Sequence, residues 1–264
     1  MRPVSGLVAS CVLSALLTGC SDSPPPGAQE SPSPVVIPPQ EPRAKLAGLV
    51  AAALDHRFTA TYTYTPRNAA ARSVAVTLGV DGTWRIDIPG GALGGAVDIA
   101  LVGLQDTIYQ CGAAPANPAN VQPSAPPAAP SINCTLLPKP LTAKYDVRLQ
   151  HLFTDWQGPL TNPSAALSVA VTTLLEGATG TCFSVESTSA SLAAPVDPGI
   201  YCYADDGTLT AARIGAGTLV LAGAPSGPPA TVSLPGPVTP GSPLQLAALP
   251  SPKAAASAQA SKRP

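Results

Sequence analysis

The run Phe58-Thr-Ala-Thr-Tyr-Thr-Tyr-Thr65 sets the tightest constraint on the fold. Phe58, Ala60, Tyr62 and Tyr64 alternate with threonine, a period of two that lines one face of a strand and would scatter around a helix. The period returns after a polar turn in Val74, Val76, Leu78 and Val80, and again in Trp84, Ile86 and Ile88 opposite Arg85 and Asp87. Between these two runs stands Asp81-Gly82, a hairpin signal because glycine accepts the positive φ that the turn requires. Pro89-Gly90-Gly91 and Gly94-Gly95 interrupt the pattern, Val97 to Val102 resumes it, and Thr107 to Cys111 follows. Five strands with short connections predict an antiparallel meander. Further strands are expected near 167–174, 179–185, 199–204, 208–214 and 217–222, with Asp206-Gly207 as a second hairpin turn.

Helical spacing is confined to two stretches. Leu46, Leu49, Val50 and Leu54 predict a short helix over about 43–54. Leu149, Leu152, Phe153, Trp156 and Leu160 predict a second, from about Leu141 or Asp146 to Gln157, stopped by Asn162-Pro163. The fold class expected is therefore mainly β with two or more helices, α+β.

Proline marks what lies outside this domain. The 264 residues include 33 Pro, which fit neither helix interiors nor central strands. They concentrate in a polar stretch before residue 43, in a Pro/Ala-rich loop at 113–130 and after about Ala224. The sequence is accordingly divided into a leader, 1–19, a Pro-rich tether, 20–42, the domain, 43–224, and a Pro/Ala-rich tail without structure, 225–264, in which Ala230 to Leu234 offers one short edge strand.

The leader has a recognisable order. Arg2 precedes an apolar stretch from Val4 to Leu17, of the length of a signal-peptide core and too short to span a bilayer. Leu17-Thr18-Gly19-Cys20 resembles the lipobox of bacterial lipoproteins, in which the cysteine thiol takes a diacylglyceryl group and cleavage follows on its N-terminal side. An ordinary secretory signal would leave Cys20 incidental. The lipobox implies attachment to the cell membrane through N-terminal lipid, on the extracytoplasmic face. Removal of 1–19 takes Arg2 with it and leaves 13 Lys and Arg against 15 Asp and Glu, so the lipid, and not charge, would hold the chain to the membrane.

Cys11 lies in the leader and Cys20 takes the lipid, which leaves Cys111, Cys134, Cys182 and Cys202 in an exported domain where disulfides persist. Four cysteines allow three pairings. Cys111–Cys134 and Cys182–Cys202 are favoured because each closes one loop of about 20 residues between segments that read as strands, worth roughly 3 kcal/mol per bridge by chain entropy. No close cysteine pair or nearby histidine recommends a metal site.

The leading helix, the FTATYTY strand, the return strand DGTWRIDIPGG and the strand ending in TIYQC together resemble the bacterial lipoprotein-localisation-factor superfamily. That group includes the LolA and LolB carriers and the LppX/LprG lipoproteins. GTCFSV, GIYCYADDGTLTAARIG and TLVL are similar to its closing strands, and the resemblance covers about 45–224. It implies a curved, half-open antiparallel barrel with helices on the concave face and an apolar cavity between them, used to carry or sense lipids, lipoproteins or glycolipids. Trp84, Ile86, Ile88, Val97, Ile99 and Leu101 of the sheet and Phe153 and Trp156 of the covering helix are the candidate cavity residues. Simple packing of helix against sheet is the competing role for each. The 113–130 insertion and the disulfides depart from the best-known carriers.

Other chemistry finds little footing. The 14 Lys and Arg face 15 Asp and Glu with no run of either sign, which speaks against nucleic acid as a partner. There is no G-x-S-x-G; His56 adjoins a helix end, and His151 lies beside Leu152 away from the main apolar face, so both read as structural or surface residues. Asp205-Asp206-Gly207 reads as a turn. Asp87 and Asp98 fit the solvated face of strands as well as they fit an acid/base pair. The glycines of 90–95 lack the strand, loop and helix order of a nucleotide fingerprint. The expectation is a non-enzymatic, membrane-anchored envelope lipoprotein, without cofactor or metal, that binds a lipid or lipoprotein ligand. The alternative is an extracytoplasmic interaction module, such as an envelope sensor. The sequence leaves the oligomeric state open.

Overall fold

The computed structural model describes residues 41–113, 131–189 and 194–247. The leader, Cys20, most of the tether, nearly all of the 113–130 loop and 248–264 lie outside the described residues.

Helix α1 (Pro42–Asp55) opens the domain, with proline at its first turn where no amide is needed, and ends at extended His56. Eleven strands follow: β1 (Thr59–Pro66), β2 (Arg72–Leu78), β3 (Trp84–Ala92), β4 (Val97–Leu104), β5 (Thr107–Ala113), β6 (Ile132–Leu136), β7 (Leu167–Thr172), β8 (Thr181–Ser187), β9 (Gly199–Tyr203), β10 (Leu209–Ile214) and β11 (Gly217–Leu221). They form one sheet in the order β6-β5-β4-β3-β2-β1-β11-β10-β9-β8-β7, every neighbour antiparallel. Two meanders, β1 to β6 and β7 to β11, are thus joined where β1 pairs with β11, and the sheet does not close, because β6 and β7 are its two ends. Among the described residues no helix is long and apolar enough to cross a membrane.

Register explains which face is buried. Tyr62 stands opposite Val74 on one side and Leu221 on the other, and Ile86 stands opposite Val76 and Leu101, so the alternating residues share one face across several strands. That face packs with Leu46, Val50 and Ala53 of α1 in the main core. Three buried tyrosines satisfy their hydroxyls on it: Tyr62 donates to Leu209 O at 2.9 Å, Tyr64 to Ala216 O at 2.8 Å and Tyr201 to Asp197 O at 2.5 Å. The first two bonds tie β1 to the second meander, so they add direction to an apolar contact.

The other face carries two small clusters, Ala100, Val102, Cys111, Cys134 and Val232, and Leu175, Cys182, Cys202 and Ala211. Each holds one disulfide. Cys111 is directly opposite Cys134 across β5 and β6, and Cys182 opposite Cys202 across β8 and β9, and both pairs are bonded.

Two expectations change. The second helix is not continuous: 141–149 is turn and loop, Gln150–Phe153 is a single 3-10 turn, and α2 is only Gln157–Thr161. Asp146 accepts the Arg148 amide at 2.9 Å, Arg148 takes a φ of 66°, and Thr154 leaves helical space, which together break the run. Leu149, Leu152, Phe153, Trp156 and Leu160 are nonetheless all buried, so the apolar spacing held while the helix did not.

The tail differs as well. Residues 225–247 run along the domain instead of leaving it. Ser226 exchanges backbone bonds with Thr59 at 2.8 and 3.0 Å, Val80 and Asp81 donate to Pro229 O and Ala230 O, and Thr83 Oγ1 accepts the Val232 amide at 2.7 Å. No strand forms at Ala230–Leu234. The tail then meets the free edge of β6, where Cys134 donates to Pro237 O at 2.9 Å and Thr239 to Cys134 O at 2.9 Å. Proline and glycine cannot sustain a ladder, yet their carbonyls can accept from amides that an open edge would leave unpaired.

Candidate functional site

The densest chemistry lies at the end of the sheet that carries the β2–β3 and β4–β5 turns, beneath the 150–157 segment. Trp84 of β3 stands opposite Gly103 of β4. A Cβ on Gly103 would lie 2.1 Å from Trp84 Nε1 and 2.2 Å from Cε2, so the indole rests on backbone that only glycine leaves uncovered. Clefts open on both sides of that ring. One, of about 360 Å³, is walled by Asp106, Ile108, Leu137, Lys139 and Leu141 and, across from them, by His151 and Asp155. The other, of about 220 Å³, is walled by Leu54, Arg57, Leu78, Phe153 and Gln157. Trp84 and Thr154 border both. An aromatic floor with a few polar groups at its rim is the composition of a small-ligand site.

His151 is the one strongly shifted group at this rim. Its Nε2 lies 3.0 Å from Asp146 Oδ1 and its Nδ1 2.6 Å from Asp155 Oδ1. Carboxylates only accept, so both ring nitrogens donate and the ring is an imidazolium. Burial acts to lower its pKa, but the bonds and charges of Asp146 and Asp155 outweigh burial and raise it to about 9. Burial acts to raise Asp146 and Asp155 in turn, and the bonds to His151 reverse that, leaving both below the usual carboxylate range. The ring stacks on Trp156 with centroids 5.1 Å apart, while Arg148 sits over the same indole at 5.4 Å and pairs with Asp197 at 2.7 Å. A protonated ring with both nitrogens engaged has no lone pair with which to act as a base near pH 7. The single hydrogen of Thr154 Oγ1 is shared between Gln150 O at 2.8 Å and Asp155 Oδ1 at 2.9 Å, so His151 does not activate it. The network fastens the 146–157 segment over Trp84. Among the described residues no group of three or more His, Cys, Asp or Glu side chains is arranged to hold a metal ion.

The eight candidate cavity residues all belong to one apolar core but not to one cleft. Ile86, Ile88, Ile99, Leu101, Phe153 and Trp156 are buried in the main core, and Trp84 and Val97 pack against it half-buried. Within that core Phe153 meets the Tyr62 ring edge-on at 5.4 Å. Trp84 and Phe153 also face the clefts just described, while Ile88, Val97 and Ile99 border a separate cleft of about 580 Å³ with Arg85, Asp87 and Pro235. Asp87 pairs with Arg85 at 2.5 Å, and Asp98 accepts the Gly90 amide at 2.6 Å, so each has a local partner. His56 caps α1 and bonds Thr208 Oγ1 at 3.1 Å. Sequence reasoning did not single out Asp146, Asp155 or Gly103. The Asp146, His151 and Asp155 spacing is a usable signal only once the segment is known to turn back on itself.

No protein-family model, curated protein or solved structure matches this chain.

Proposed function

We propose that this chain is a lipid-anchored, extracytoplasmic lipoprotein whose domain is a half-open barrel with its helical layer on the concave side, and that it binds an acyl chain between that layer and the sheet. The resemblance to the lipoprotein-localisation-factor superfamily and the lipobox at Cys20 motivate the reading. The observation that carries it is the pair of clefts meeting at Trp84 beneath a covering segment of short helical turns. Such a cover has few helical hydrogen bonds of its own and is held instead by its buried apolar side chains and by the His151 network. Among the described residues no convergent acid, base and nucleophile accompanies it, and the function proposed is non-enzymatic.

A second reading has an observation in its favour. Six of the eight candidate residues are already buried against protein, the state of a solid interaction module such as an envelope sensor. Titration with a fluorescent fatty acid separates the two. The carrier reading expects saturable uptake that Trp84→Ala weakens by about tenfold, the loss of one well-placed aromatic contact; absence of uptake by the folded protein supports the solid module.

A further inference from the structure

After passing the β6 edge the chain reaches the opposite, helix-bearing face and docks there in a manner its composition does not require. Gln110 points to that face from β5, between Leu101 and Thr135, and is only 3% exposed. A buried primary amide is costly unless both of its ends are bonded. Both are bonded to one residue: Leu244 N–H donates to Gln110 Oε1 at 2.6 Å, and Gln110 Nε2 donates to Leu244 O at 2.9 Å. This side chain supplies the pair of bonds that a neighbouring strand would supply.

The next two carbonyls are held as deliberately. Leu93 and Gly94 are consecutive left-handed residues, with φ of 51° and 69°, an unfavourable conformation for leucine. The geometry aims their successive amides outward, Leu93 N–H to Gln245 O at 2.9 Å and Gly94 N–H to Leu246 O at 2.8 Å, while Leu246 N–H donates to Lys144 O at 2.8 Å. Five backbone groups of Leu244 to Leu246 are therefore read by the domain, and none of these bonds depends on the side chain carried there. Gly112 leaves the space that Leu244 fills, since a Cβ on it would meet Leu244 Cδ1 and Ile99 Cγ2 at 3.3 Å. Leu244 itself stays half-buried, and the Pro240-Gly-Ser-Pro243 stretch before it has Gly241 in open space.

We propose that Gln110, Leu93–Gly94 and Lys144 form a recognition groove for an extended, uncharged peptide with leucine at the Gln110 position, and that Leu244–Leu246 is its displaceable resident. A segment that served only to close the sheet would bury its leucine fully and need no buried amide. This one is bonded through its backbone and follows a proline- and glycine-containing stretch. The groove, at β5, the 93–95 turn and the 141–149 loop, shares no lining residue with the two clefts at Trp84.

The test uses the full chain and a fluorescein-labelled peptide of residues 241–248, GSPLQLAA. The resident segment competes in cis at roughly millimolar effective concentration, so Leu244→Asp, which undocks it, should bind the peptide at least about tenfold more tightly than the unsubstituted chain does. A peptide N-methylated at the leucine matching Leu244 lacks the N–H that Gln110 accepts and should not bind. A folded Leu244→Asp chain that binds neither peptide, or both equally, overturns the proposal. Hydrogen exchange on the unsubstituted chain covers the case in which that variant does not fold. The Leu93 and Gly94 amides should exchange well before those at the centre of β4, and exchange only by global unfolding overturns the proposal.

Discussion

Raising the pH from 6 to 9 should loosen this domain through a single imidazole. Two carboxylates that face His151 raise its pKa to about 9 from 6.5 against the effect of burial; Gln150 and Trp156 contact the ring, Arg148 sits over the same Trp156 indole, and Lys139 borders the same cleft. Because the folded value exceeds the unfolded one, the stabilisation is complete below pH 6.5 and is lost as pH rises through about 9. At about 1.4 kcal/mol per pKa unit the whole contribution is roughly 3 kcal/mol, nearly all of it lost by pH 9. For a domain of this size that is a fall of about 6–12 °C in melting temperature. Asp146 and Asp155 work in the other direction: their depressed pKa values give stability that is present above pH 4 and is lost on acidification. The assay is urea unfolding at pH 6 and pH 9, for the unsubstituted chain and for His151→Gln. The variant should be less stable at pH 6 and should lack this part of the alkaline loss. Equal alkaline losses in the two proteins would refute the bracketed imidazolium.

Three other outcomes are expected. Gly103→Ala drives a methyl into the Trp84 indole and should destabilise by about 1–3 kcal/mol while shifting Trp84 emission to the red as the ring swings outward; unchanged melting and emission would mean that the ring is not seated there. A non-reducing peptide map should link Cys111 to Cys134 and Cys182 to Cys202, and crossed pairs would contradict the β5–β6 and β8–β9 registers. Cys20→Ala should release the chain from membranes or leave it unprocessed, and unchanged acylation and fractionation would remove the lipobox from the account.

Where the period was two, the sequence was easy to read. Phe58 to Tyr64, Val74 to Leu78 and Trp84 to Ile88 occupy the faces their alternation assigned, and Asp81-Gly82 and Asp206-Gly207 turn as expected, with φ of 86° at both glycines. Local signals dominate there, since a slip of one residue would expose a whole apolar row. The reading weakened where side chains competed with the backbone. Asp146 draws the Arg148 amide and the His151 ring to itself, so an apolar spacing that promised a helix became turns with the same residues buried. It was poorest for the tail. In GPPATVSLPGPVTPGSPLQL only Ala230 to Leu234 alternates, and it forms no strand; the order of the segment comes from partners distant in sequence, Thr83, Cys134, Gln110 and Leu93, that only the folded sheet assembles. The site was half legible for the same reason: Trp84 and Phe153 were named for their face, while Gly103 matters only because β4 sets it under Trp84.

The most direct measurement of the lipid-binding claim is native mass spectrometry of the acylated chain after gentle extraction from membranes, before and after incubation with a fatty acid. The account expects a bound mass beyond the N-terminal acyl groups, at one ligand per chain and diminished in Trp84→Ala. A folded chain that carries its anchor and takes up nothing, with Trp84 emission unmoved by the fatty acid, would contradict it.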